Sequence, residues 1–147
     1  MRERRGYTLL ELIVVLALLA IAIGFVYPGA RAAADAWAVR AARDATAAVL
    51  AGTRAAAIAH RGADLLVVPA RGSVLMRTGG AGAPQPRLEV QRDWGVTVSS
   101  PGFGGDTIVV RYDAIGLGRI ANRTLRFERG RAVAGLTIAA YGRVRRW

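Results

Sequence analysis

Two places in this 147-residue sequence set side chains where they could do chemistry. The first is Glu11, which stands alone in an apolar run: no other residue between Tyr7 and Ala30 is charged. Burying an unpaired carboxylate there costs on the order of 2.5 kcal/mol or more, so Glu11 calls for a cation. If the chain were cut between Gly6 and Tyr7, the new α-amino group of an adjacent copy would supply one. Snorkelling of Glu11 to the membrane interface is the alternative. The second place is the C-terminal stretch Gly142-Arg143-Val144-Arg145-Arg146-Trp147. Extended backbone would put Tyr141, Arg143, Arg145 and Trp147 on one face, because side chains alternate along a strand. Arginine forks grip phosphate oxygens and aromatic rings stack on bases, so this face, with Arg146 and the nearby Arg119, Arg123 and Arg126, could hold nucleic acid.

The rest of the composition excludes more than it proposes. All 21 basic residues are Arg, the formal net charge is +11, and from residue 119 onward eight Arg face one acid, Glu128. Such a patch attracts phosphate backbones, anionic lipid heads or acidic proteins, or is a solvated surface; charge alone does not choose. There is no Cys, one His, and three Ser (Ser73, Ser99, Ser100), which leaves little from which to build a nucleophile and its base. Glu89, Asp93, Asp106 and Asp113 are dispersed, without a calcium-loop pattern. Gly116-Leu117-Gly118-Arg119-Ile120-Ala121 has the spacing of a dinucleotide fingerprint, but the residues after it alternate like a strand. A hairpin is expected there. No catalytic residue, metal or cofactor is expected, and the chain reads as a non-enzyme.

Behind these residues stand the elements that must position them. Taken as helix at 1.5 Å per residue, the run from Tyr7 to Tyr27 spans roughly 30 Å, the thickness of a bilayer's hydrocarbon core. Arg2, Arg4 and Arg5 precede it, so the positive-inside tendency puts everything after Pro28 on the outer side. A secretory signal cut near Ala32 or Ala34 is the competing reading; the Glu11 charge and the length of the apolar run count against it. Pro28 removes a backbone donor and is expected to kink the helix. Residues 30–61 then read as an amphipathic helix, with Val39, Ala42, Thr46, Val49, Leu50, Thr53 and Ala57 on the apolar stripe and Arg40, Arg43, Asp44, Arg54 and Arg61 opposite. Trp37 lies outside the stripe, and His60 falls on its apolar side near the helix end. From residue 62 short strands are expected at 65–68, 74–77, 88–91, 96–99, 107–112, 124–128, 133–140 and 143–146. The fold class is α+β, a long helix covering one face of an antiparallel sheet.

Gly6-Tyr7-Thr8-Leu9-Leu10-Glu11, followed by the unbroken apolar helix, resembles the class III leader of type IV pilins and type II secretion pseudopilins. That resemblance implies a leader of residues 1–6 removed after Gly6 by a prepilin peptidase, N-methylation of Tyr7, and Glu11 as the register-setting acid that pairs with a neighbour's amine. Tyr7 stands where Phe is commoner. Pro28 resembles the proline at which pilin helices bend. The implied organisation is a leader (1–6), a transmembrane and assembly helix (7–29), an amphipathic helix (30–61) and a β domain (62–147). The later strands, TIVVRYDAIGLGRIANRTLRF and LTIAAYGRVRRW, resemble the H-type minor pseudopilins and DNA-uptake minor pilins, the GspH/FimT-like family. The expectation is a minor pseudopilin, single-pass in the inner membrane with its C-terminal domain in the periplasm. Its partners would be other pseudopilins or pilins, the peptidase, the inner-membrane assembly platform and, before assembly, lipid. The alternative is a DNA-binding minor pilin; the Gly-Arg-x-Arg ending resembles that group, whose flanking cysteines this chain lacks.

Overall fold

The computed structural model describes residues 8–79, 82–119, 122–139 and 142–147; Gly6, Tyr7 and Tyr141 lie outside them. The chain divides into two compact units, Met1–Ala34 and Asp35–Trp147. Helix α1 (Leu9–His60) contributes to both, and it passes through Pro28 without ending.

In the first unit the described part is α1 alone, with Thr8 at its start. The Thr8 hydroxyl accepts the Glu11 amide at 3.3 Å and the Thr8 carbonyl accepts the Leu12 amide at 3.2 Å, closing the first turn. This is the N-cap geometry that satisfies otherwise orphaned helix donors.

In the second unit α1 buries the apolar stripe read from its period. Val39, Ala42, Thr46, Leu50, Thr53 and Ala57 are buried, together with Ala38 and Ala47, and Val49 packs against them half-buried. The two threonines cost little in polarity, because Thr46 donates to the Ala42 carbonyl at 2.8 Å and Thr53 to the Val49 carbonyl at 2.7 Å. His60 departs from expectation: burial along α1 stops at Ala57 and the imidazole is exposed in the last turn.

The stripe is covered by two antiparallel sheets, where a single sheet was expected. One has five strands in the order β3-β2-β1-β5-β6, the other four in the order β4-β7-β8-β9. The strands are β1 (Ala63–Val68), β2 (Ser73–Thr78), β3 (Gln85–Glu89), β4 (Thr97–Ser99), β5 (Ile108–Tyr112), β6 (Gly118–Arg119), β7 (Arg123–Arg129), β8 (Ala132–Ile138) and β9 (Val144–Arg146). After β3 a short helix, α2 (Val90–Trp94), carries the chain to the second sheet; β5 then returns to pair with β1. Sequence alternation carried the third strand on to residue 91, but Val90 is instead the buried anchor of α2, which ends on left-handed Gly95.

Alternation decides the core. Ala63, Leu65 and Val67 of β1 face inward with Ile108, Val110 and Tyr112 of β5, while Leu125 and Phe127 of β7 and Ala134, Leu136 and Ile138 of β8 do so in the other sheet. The Gly116-Leu117-Gly118 segment forms the expected hairpin, β5 to β6. Asp113 Oδ1 holds it by accepting the amides of Ile115 at 3.1 Å and Leu117 at 2.9 Å.

Candidate functional site

At the N-terminal end every described side chain from residue 8 to 34 is exposed, including Leu9, Leu16, Leu19 and Ile23. Apolar all round and longer than a bilayer needs, this stretch suits a membrane or a bundle of like helices and has no periodic face to offer a domain of its own. Glu11 sits three residues after the capping Thr8, a threonine-x-x-glutamate spacing in which an acid also complements the helix dipole. Sequence reading did not single out Thr8 as the cap, although the threonine-x-x-glutamate spacing was visible.

At the other end the structure divides the expected basic face. Strand β9 pairs with β8 in the register Leu136↔Arg146, Thr137↔Arg145 and Ile138↔Val144, and the ladder continues through two hydrogen bonds between Gly135 and Trp147, at 2.9 and 3.0 Å. Arg143, Arg145 and Trp147 therefore point to the outer face, as alternation required, joined there by Arg126 of β7, opposite Gly135. The Trp147 indole lies on Gly135, where an added Cβ would come within 2.1 Å of the ring, and its Nε1 donates to Thr137 Oγ1 at 3.2 Å. Glycine at 135 makes this aromatic seat possible. Trp147 stays half exposed, a flat ring beside arginines.

The remaining arginines go elsewhere. Arg146 turns to the helix side and meets Asp44 of α1 at 3.6 Å, where Arg43 also pairs with Asp44 and donates to the Trp147 carbonyl at 3.3 Å. The Arg43 hydrogen bond holds the Asp44 carboxyl below its usual range against the opposing effect of burial, with the charges of Arg43 and Arg146 adding to it. Arg123 lies over the Phe103 ring at 5.1 Å and Arg119 sits in the other sheet, 3.7 Å from Asp113, while Arg126 keeps its place on the outer face and pairs there with Glu128. Between β9 and α1 runs a groove of about 640 Å³ lined by Arg54, Arg143, Arg145, Arg146 and the buried Tyr112, whose phenol burial pushes above its usual pKa, partly offset by Arg54. Arg54 was assigned to the solvated face by its helical position; only the fold brings it to β9.

Comparison with known proteins bears on the N-terminal motif and on the fold. The prokaryotic N-terminal methylation motif matches residues 1–27. No curated protein matches the sequence. Among solved structures the chain is similar to the type IV minor pilin FimU of Pseudomonas aeruginosa, at 16% identity and a TM-score of 0.56, over 73% of this chain and 86% of that one. The chain thus joins a prokaryotic N-terminal methylation motif to a type IV pilin-like fold.

Proposed function

We propose that this protein is a minor subunit of a type IV pilin-like filament, of the kind that forms the periplasmic pseudopilus of type II secretion and drives folded proteins across the outer membrane. The observation that carries the reading is the coupling of a methylation-motif leader to a helix that is exposed and apolar on every side with one acid, Glu11, near its start. Before assembly the helix lies in the inner membrane with the β domain in the periplasm. In the filament it buries its apolar surface against like helices, and Glu11 pairs with the amine freed at Tyr7. The work is structural and needs no catalytic group. Site-directed cross-linking of assembled filaments tests it: Glu11→Gln, close in shape but uncharged, should insert into the membrane yet incorporate as poorly as Glu11→Leu. Normal incorporation of Glu11→Gln would reject the charge pairing.

A second reading, a pilus minor pilin that grips DNA, is favoured by the gathering of Arg126, Arg143, Arg145 and Trp147 on one outer face. It predicts duplex binding that falls steeply with salt and is mostly lost in the Arg143→Gln, Arg145→Gln double variant. No retention of DNA at low salt would end it.

A further inference from the structure

The outer face of the five-stranded sheet carries a row of four charged residues on adjacent strands, placed there by register alone: Arg77 of β2, Asp64 of β1, Arg111 of β5 and Arg119 of β6. Asp64 is nearly buried. Its Oδ2 accepts from Arg77 Nε at 3.2 Å and from Arg77 Nη2, and its Oδ1 accepts from Arg111 Nε at 3.1 Å. One carboxylate is thus divided between two guanidinium groups. Arg111, its side chain 63% exposed, stands directly opposite Arg119. Like charges placed opposite each other on a sheet are destabilising unless an anion joins them. Arg119 has Asp113 at 3.7 Å, an ion pair too long for a hydrogen bond.

The row opens on a cleft of about 630 Å³, and the turn after α1 adds Arg61 to its lining. Among the described lining residues four arginines face two aspartates, which leaves the cleft positive. Arg61 takes a left-handed backbone, φ 59°, because it caps the end of α1, where the Gly62 amide returns to the Ala57 carbonyl at 2.8 Å. Two residues further along the same strands the face changes character: Leu75, Leu66 and Val109 pair across β2, β1 and β5 as an apolar row, with Val109 partly exposed.

We propose that this face docks an acidic segment of a protein partner, with carboxylates entering between Arg111 and Arg119 and neighbouring apolar side chains lying on Leu75, Leu66 and Val109. Arginine forks recognise carboxylates through paired N–H groups, and the cleft already holds Asp64 in that manner. The apolar row would be left uncovered by a nucleic-acid backbone, and neither row contains an aromatic ring on which bases could stack, unlike the Trp147 face. The partner is therefore an acidic protein segment, and the inference stands whether or not the chain enters a filament.

The test is fluorescence anisotropy with the full chain in detergent micelles and a labelled peptide of alternating Glu and Leu. The peptide should bind, weaken as salt rises, and lose about tenfold in affinity in the Arg111→Gln, Arg119→Gln double variant. Arg119→Gln alone, at an exposed position, should weaken binding without altering the thermal midpoint, and Arg145→Gln on the other sheet should bind as the parent does. The proposal is overturned if the Arg119→Gln and double variants keep parental affinity, if a Gln-Leu peptide binds equally, or if inorganic phosphate or duplex DNA displaces the acidic peptide at equal concentration.

Discussion

Along α1, residues 9–34 and residues 38–57 draw on much the same alphabet of Ala, Leu, Val and Ile, yet in the first stretch every described side chain is exposed, while in the second one stripe is sealed beneath two sheets. The second stretch alternates small apolar residues with arginines at helical period, so one face can leave water while the other stays in it. The first has no such period. An apolar surface without a polar side needs a surrounding that is apolar on all sides, which lipid or a bundle of neighbouring helices provides. Where the hydrophobic pattern is periodic, the partner is within the chain; where it is continuous, the partner is outside it.

This contrast is broken most forcefully by truncating one leucine in each stretch. Leu50→Ala should cost the folded domain about 2–5 kcal/mol in denaturant unfolding, because Leu50 is fully buried. Leu16→Ala should leave that transition unchanged, since Leu16 touches none of the core. Equal losses would erase the distinction. Next in size is Gly142→Ala: left-handed at φ +79°, Gly142 would bring its new Cβ within 2.8 Å of the Tyr112 ring, and thermal unfolding should report a loss of about 1–3 kcal/mol. Thr8→Ala acts on the other stretch, removing the hydroxyl cap at a cost of about 1 kcal/mol; hydrogen exchange at the first turn of α1 should quicken while the domain's exchange stays the same. The smallest effect is alkaline. Burial raises the Tyr112 pKa, so its contribution is fully present below the unfolded value near 10 and is lost as pH rises from there through the higher folded value. Tyr112→Phe should flatten that decline in a pH series of unfolding midpoints.

Most of this organisation was legible in the sequence because it is local. Six of the seven stripe residues named from helical period are fully buried, the eight strands expected from alternation are present with shifted ends, and the Gly116-Leu117-Gly118 segment turns as a hairpin. What could not be read depends on register between distant segments. The pairing of β1 with β5, and the departure of β4 into a second sheet, are chosen by packing that no local pattern encodes. For that reason the arginine and aspartate row at 64, 77, 111 and 119 was invisible as a cluster. For the same reason the C-terminal basic face proved smaller than the arginine count implied: alternation placed Arg143, Arg145 and Trp147 together correctly, but Arg146 turned to Asp44, Arg123 to Phe103 and Arg119 to another sheet.

The claim on which the account rests is that the apolar stretch of α1 is retained in the mature protein as an assembly element. Intact-mass spectrometry of the chain purified from the membrane fraction addresses it directly. The account predicts a polypeptide that begins at Tyr7 and carries one added methyl group, with residues 9–34 still attached. A mature chain beginning beyond Ala30 and found free of the membrane would contradict it.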